Sequence, residues 1–395
     1  MLELIIKKET NIKKIVLTEN GKLIEYYEDD GKIDQNEENI YIGTIKDVLK
    51  GMQSAFIDVG TEKNAFIHLK DILPKVNEKE EKQDINVDIK DVIKVNDKLL
   101  VQIKKGSDFQ KGARVSTHIS LPSRYIVLMP NTSIITISKK IENKKEKQRL
   151  LNIVKNNLPK NTGAIVRTSS ENQSEDEIIQ DIKYIINIWN NIQKRYNGGN
   201  IKSPALIYKS PDIVEKIMID LFSKDFRKII VDDKKEYERL IRIKNENNCF
   251  KNIEIVLEEN KNVLDCYDIK KQIEKIQERK IWLKCGGFIT IDKTEALTAI
   301  DVNTGKYTGK NNLEDTIYKV NEYATYEIVK QVKLRDIGGI IIVDYIDMKN
   351  TKDKEKIENL LKEKLKEDRA KTQVEGFTKL DLMEFTRKHI CSHSK

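Results

Sequence analysis

Short apolar runs separated by Gly, Asn and charged residues fill the first 130 positions and predict strands rather than long helices. LELIIKKETNIKKIVLTENGKLIEYYED reads as two or three antiparallel strands, with Asn20-Gly21 between IVLTE and KLIEYY as a hairpin turn. NIYIGTIKDVLKGMQSAFIDVGTEKNAFIHLKDIL predicts three more short strands, with turns at Lys50-Gly51 and Gly60-Thr61. The charged stretch KVNEKEEKQDINVDIKDVIKVNDK predicts a solvated loop insertion. LLVQIKK, KGARVSTHIS and RYIVLMP then resume the strand character, and five or six closely spaced strands of this kind predict a small barrel.

The pattern then turns helical. Residues 139–160 are Lys-rich with helical spacing, and GAIVRTSS reads as a strand running into a loop. SEDEIIQDIKYIINIWNNIQKRY predicts a helix opened by a capping box, Ser174 with Glu177 three residues on. Ile178, Ile182, Ile185, Ile186 and Trp189 repeat on its core face. Residues 213–282 alternate helices with short strands such as KIIVDD and IEIVLEE, a mixed α/β unit. GGFITIDKTEALTAIDVNTGKY predicts a hairpin turning at Lys293-Thr294. A long amphipathic helix over 313–334 follows, with Leu313, Ile317, Val320, Ala324, Ile328 and Val332 on one face and Gly338-Gly339 as its stop. IIIVDYIDM reads as a strand buried on both faces, and KDKEKIENLLKEKLKED as another helix. This ββ-α-β-α order predicts an α/β layer whose sheet is covered by helices.

Composition narrows the class. The 395 residues suffice for two to four domains, and 38% hydrophobic content allows local cores. The net charge of +8 favours polyanionic partners, although Lys, Ile, Asn and Glu are abundant throughout and composition alone could supply many lysines. No secretory signal opens the chain and no apolar run reaches the about 20 residues that span a bilayer, so the expectation is a cytoplasmic protein without membrane contact. Cys249, Cys266, Cys285 and Cys391 form no Cys-x-x-Cys pair and read as reduced thiols.

Two aspartates stand out. Asp301 ends LTAID and Asp344 ends IIIVD, and a carboxylate at the end of an apolar strand is costly to bury without a partner. Ligands of open α/β sheets gather at strand ends, where two carboxylates would suit Mg²⁺. Asn303, two residues past Asp301, falls on the same side of an extended strand and could orient a water or a phosphate oxygen. The alternative is that the two aspartates cap turns or pair with Lys306 or Arg335. Asp347 is either a third acidic group or a helix cap, and the cap is the favoured reading.

ALTAIDVNTGKYTGK, KLRDIGG and IIIVDYIDM closely resemble the catalytic region of the bacterial ribonuclease E/G family. GKLIEYYED, NIYIGTIKDVLKGMQSAFIDVGTEKNAFIHL, ISLPSRYIVLMPN and GAIVRT resemble it in the same order, so the likeness covers nearly the whole chain. It implies a multidomain α/β architecture: an RNase H-like subdomain from 1–36 and 214–280, an inserted S1-type OB-fold barrel at 37–118, a 5′-sensor subdomain at 119–213 and a DNase I-like catalytic subdomain at 281–395.

The resemblance also implies roles. Asp301 and Asp344 would hold catalytic Mg²⁺ with Asn303 assisting, in a hydrolysis leaving 5′-phosphate and 3′-hydroxyl ends. Phe56 and Phe66 match base-stacking positions and Lys111 an RNA contact, barrel core being the other reading of the phenylalanines. Arg167 and Thr168 match the pair that grips a 5′-monophosphate, and Val127 a backbone contact in the same pocket. Lys371 stands where the family has arginine; it keeps the charge but loses the fork, so sensing would be weaker.

The implied partner is single-stranded RNA, AU-rich and 5′-monophosphorylated by preference, in maturation of ribosomal RNA and decay of messages. Family members carry a Cys-x-x-Cys beyond the catalytic subdomain that shares a zinc between protomers, whereas this chain ends RKHICSHSK. Cys391 with His389 and His393 is a weak metal motif, so zinc is not expected. Either a homodimer forms through another surface, or the chain is truncated, or it acts as a monomer. The shorter G branch is the nearer likeness. Two other readings compete: a non-catalytic RNA-binding module, which has no use for two strand-end aspartates, and a metal-dependent enzyme acting on small phosphorylated molecules, which has no use for a base-stacking barrel.

Overall fold

The structure, a computed structural model, describes residues 1–29, 37–72, 88–107, 111–199, 201–221, 226–246, 250, 252–259, 262–265, 269–305 and 313–391. The chain divides into two compact units, Met1–Ile33 with Leu221–Lys395, and Asp34–Asp220.

In the first unit, strands Leu2–Lys8, Lys13–Glu19 and Lys22–Asp29 form an antiparallel meander. The turn between the last two is Asn20-Gly21, whose positive φ values of 51° and 75° suit a tight hairpin. Leu2–Lys8 pairs in parallel with Phe226–Val231, and that strand in parallel with Glu254–Leu257. One sheet thus joins the beginning of the chain to residues more than two hundred positions later.

The second sheet of this unit has the order Lys280–Trp282, Phe288–Lys293, Leu297–Asn303, Gly339–Asp344, Leu382–Arg387, Thr372–Phe377. Only the central pair, Leu297–Asn303 with Gly339–Asp344, is parallel. Helices Leu313–Leu334 and Thr351–Lys366 cover one face: Val320, Ala324, Ile328, Val332, Ile357 and Leu361 share a core with Ile289, Ile300, Ile341, Val343, Met383 and Phe385.

Three expectations need correction here. The strand Gly339–Asp344 is buried on one face only: Ile341 and Val343 are buried while Ile340 is 50% exposed, since the helices cover a single side. Leu313 is 74% exposed, because it lies in the first helical turn, ahead of the residues that meet the sheet. Nor does Gly338-Gly339 stop the helix. Asp336 takes the left-handed position with φ 45°, Ile337 N–H donates to Val332 O at 2.9 Å, and Gly339 already opens the next strand. The strands Thr372–Phe377 and Leu382–Arg387 had no counterpart in the sequence reading.

In the second unit, Ile40–Leu49, Ser54–Asp58, Ala65–His68, Arg114–Ser116 and Lys98–Lys105 follow one another and close back on Ile40–Leu49, a five-stranded OB-like barrel. Ile45, Ala55, Ile57, Ala65, Ile67, Val101, Ile103 and Val115 fill it. Gly112 is required by a close crossing, since a Cβ there would lie 2.0 Å from Asn64 O. Of the charged insertion, 73–87 lies outside the described residues, and Ile89–Val92 is a helical turn. A four-stranded sheet, Ile135–Ile137, Gly163–Val166, Ile126–Met129 and Leu121–Pro122, packs against helices Lys144–Asn157 and Glu175–Asn197. The Ser174–Glu177 capping box is present, and Ile178, Ile182 and Ile185 are buried, with Ile186 and Trp189 half-buried beside them.

Candidate active site and RNA-contact residues

Along Leu297–Asn303, Thr298, Ile300 and Val302 point into the helix-covered core, so Ala299 and Asp301 emerge on the opposite face. Asp301 and Asp344 are register partners across the parallel pair, and neighbours in register share a face. One row across the sheet reads Lys280, Thr290, Asp301, Asp344, Leu382. The two carboxylates, 43 positions apart in sequence, therefore stand side by side. Both residues are exposed, which corrects the expectation of buried strand-end groups. Proximity of like charges, not desolvation alone, is what marks the pair.

Electrostatics agree. Partial shielding of the carboxyl, then repulsion from Asp301 and Asp347, hold Asp344 above the ordinary carboxylate range. Asn303 Nδ2 donates to Asp301 Oδ2 and fixes that side chain. Of the cationic partners considered from sequence, Arg335 is engaged elsewhere, donating to Gln331 Oε1 at 2.7 Å and to Glu278 O at 2.9 Å, and Lys306 lies outside the described residues. The cap reading of Asp347 is overturned, because Asn350 caps the following helix through Lys352 N at 3.0 Å. The loop past Asp344 is pinned by residues the sequence reading passed over. Asn321, fully buried, accepts from Ile346 N at 3.1 Å and donates to Ile346 O at 2.8 Å, and Thr325 Oγ1 lies 2.8 Å from the Tyr345 hydroxyl. Their signal was available as polar residues on the apolar face of a helix.

The described residues contain no group of three or more His, Cys, Asp or Glu that could hold a metal. Two exposed carboxylates side by side in register, one of them raised by partial shielding and then by repulsion from its neighbours, still fit Mg²⁺, which takes one or two carboxylates and keeps waters or phosphate oxygens in its other positions. At the chain's end, His389 Nδ1 lies 2.8 Å from Asp336 O and Cys391 Sγ 3.7 Å from Glu28 O, while His393 is outside the described residues.

In the barrel, Phe56 and Phe66 are cross-strand partners with ring centroids 6.2 Å apart at 70°. Ala55, Ile57, Ala65 and Ile67 alternate into the core, so both rings lie on the outer face and the barrel-core alternative is excluded. Lys111 is exposed just before Gly112, and Arg114, in register with Phe66, forks onto Asp71 at 2.9 and 3.2 Å.

In the four-stranded sheet, Val127 pairs with Ile165, and Arg167 and Thr168 follow directly after that partner strand, in a 3-10 turn, with Arg167 N–H donating to Tyr125 O at 2.8 Å. The Arg167 guanidinium is already engaged: Nη1 donates to Ser123 O at 2.7 Å and Nη2 to Asp220 Oδ1. Thr168 Oγ1 lies 2.9 Å from Ser138 Oγ. Asp220 and Ser138 were not singled out from sequence. Lys371 is exposed and belongs to the first unit, whereas Val127, Arg167 and Thr168 belong to the second.

One chain thus carries an acidic pair on an α/β sheet and an OB-like barrel with an outward aromatic pair. The model of the ribonuclease E/G family matches residues 120–390. Ribonuclease G of Escherichia coli K12 is 37% identical over 356 residues, 89% of this chain and 72% of the relative. Ribonuclease G of Haemophilus influenzae is 36% identical over 391 residues, 98% and 79% of the two chains, and ribonuclease E of Buchnera aphidicola 32% identical over 385 residues, 96% and 39%. The chain belongs to the ribonuclease E/G family. It is an endoribonuclease of the ribonuclease G type. No helix among the described residues is long and apolar enough to cross a membrane.

Proposed function

We propose that the protein is a Mg²⁺-dependent endoribonuclease that hydrolyses single-stranded RNA to 5′-phosphate and 3′-hydroxyl ends, is stimulated by a 5′-monophosphate, and serves rRNA maturation and mRNA decay in the cytoplasm. The register pairing of Asp301 with Asp344 on an open sheet face carries this reading. The two carboxylates would hold the cation, and Asn303 keeps that of Asp301 in place. When bound, Mg²⁺ lowers the pKa of a water and offsets charge on the phosphoryl oxygens. The decisive assay is cleavage of an AU-rich oligonucleotide bearing a 5′-monophosphate or a 5′-hydroxyl, with Mg²⁺ or with a chelator. Cleavage that survives chelation would overturn the metal assignment. Light scattering on the same preparation distinguishes monomer from homodimer.

Phe56 and Phe66 would stack on bases, with Lys111 on the phosphate backbone. Phe66→Ala is expected to weaken RNA binding by roughly 5- to 150-fold, the equivalent of about 1–3 kcal/mol per stacked base. Because the ring is outside the core, the melting temperature should shift little; a large drop in melting with unchanged affinity would contradict the role.

Arg167, Thr168 and Val127 would recognise the 5′-phosphate. A phosphate must displace Asp220 from the Arg167 fork, which would keep the response to 5′ ends modest. Arg167→Lys is expected to cut the rate ratio between 5′-monophosphate and 5′-hydroxyl substrates several-fold, whereas Asp220→Asn should raise it. Equal ratios in all three proteins would remove Arg167 from the sensor.

A further inference from the structure

The edge of the aspartate-bearing sheet carries an aromatic pair that none of the roles above uses. Trp282 and Phe288 are register partners, T-shaped with centroids 5.4 Å apart at 64°, and the next residue in that row is Asn303. Lys280 lies on the same side of its strand as Trp282. Its ammonium sits 4.3 Å from the Trp282 ring centroid and 3.6 Å from that of Phe288, and it heads the neighbouring row through Thr290 to Asp301 and Asp344. Trp282 is 58% exposed, among the largest apolar surfaces that the described residues leave in water.

Cross-strand packing accounts for the two rings touching, but not for a tryptophan held mostly in solvent beside a fixed cation. Strands lie about 4.8 Å apart and alternate residues about 6.8 Å apart along a strand, so Trp282, two strands from Asn303 and one row from the aspartates, is about 12 Å from Asp301 and about 16 Å from Asp344 along the sheet. A π face, a positive charge and that separation match one ligand chemistry: a nucleotide one or two positions along the strand from the phosphate that meets the aspartates. Aromatic faces stack on any unpaired base, and an ammonium tracks phosphate. A folded protein partner would more often meet an apolar patch with a depleted charge content, whereas here the Lys280 ammonium sits against both rings.

We propose that Trp282, with Phe288 and Lys280, forms a stacking platform on the catalytic sheet for the base of a nucleotide flanking the scissile phosphodiester, Lys280 contacting that nucleotide's phosphate. The proposal rests on Asp301 and Asp344 being the catalytic centre. It adds a substrate-positioning surface to the first unit, separate from the outward phenylalanines of the barrel in the second.

The chain has two tryptophans, so Trp189→Phe leaves Trp282 as the only one. In the full chain carrying Trp189→Phe and Asp301→Asn, titration with a short single-stranded oligoribonucleotide is expected to quench Trp282 fluorescence in step with the anisotropy of a labelled copy. An oligonucleotide abasic around the cleavage position should bind with much less quenching. In the otherwise native enzyme, Trp282→Ala should raise KM roughly 5- to 150-fold with kcat little changed, and Trp282→Phe should restore most of it. Saturated RNA binding with unaltered Trp282 fluorescence overturns the platform, as does an unchanged KM in Trp282→Ala. Failure of the underlying reading shows separately, as Asp301→Asn protein that still cleaves. The fluorescence arm leaves Trp282 in place, so it remains decisive if Trp282→Ala folds poorly.

Discussion

Asparagine at either Asp301 or Asp344 is expected to lower the cleavage rate by about 1,000-fold or more while leaving RNA affinity nearly unchanged. The substitution keeps side-chain size and strand pairing and removes only the charge that would hold the cation. Both residues are exposed, so no core is disturbed, and Asp344→Asn also removes repulsion within the acidic group. Loss of activity therefore cannot be laid to unfolding. Single-turnover cleavage beside anisotropy of a labelled oligonucleotide separates the two quantities. Asn303→Ala should be milder, because that side chain only steadies Asp301. Near-native cleavage by both asparagine variants would end the nuclease interpretation of this sheet.

Arg387→Ala is expected to cost the first unit about 3–5 kcal/mol, read as a fall in the urea midpoint. The Arg387 side chain is fully buried, with Nη1 2.7 Å from Asp336 Oδ1 and Nε 2.8 Å from Asp368 Oδ2, and both carboxylates are as deep. Removing the guanidinium strands two negative charges away from water. The Asp336 carboxylate also receives the N–H groups of Ile390 and Cys391 at 2.9 to 3.1 Å, so the segment past the last strand depends on the same charge. Arg387 is opposite Gly339 in register, at the far end of the strand that presents Asp344, so cleavage should weaken alongside stability. A loss below about 1 kcal/mol would show that the triad is incidental.

Much of this molecule could be read from local chemistry. Asn20-Gly21, the Ser174–Glu177 box and the barrel's short strands are governed by neighbours in sequence, and each is present as read. Asp301, Asn303 and Asp344 were legible because polar groups interrupt apolar strands. What escaped depended on contacts distant along the chain. Nothing local says that helices cover one sheet face only, and on that fact turns the exposure of Ile340 and of both aspartates. The role of Asp336 could not be read locally, since Arg387 is 51 positions away. Asp220 reaches Arg167 across 53 positions, and the strands Thr372–Phe377 and Leu382–Arg387 are too short and mixed to announce themselves. The Trp282 row was hidden likewise, for it exists only once strand order and register are known.

The pairing of Leu2–Lys8 with Phe226–Val231 has a consequence for biosynthesis. When the ribosome has released the first thirty residues, the meander has no parallel neighbour and must wait while nearly two hundred more are made. Asp34–Asp220, contiguous in the chain, can collapse during that interval. The nascent protein would therefore complete its barrel before the sheet that carries Asp301 and Asp344 and, on the roles proposed above, could hold a transcript before it could cut one.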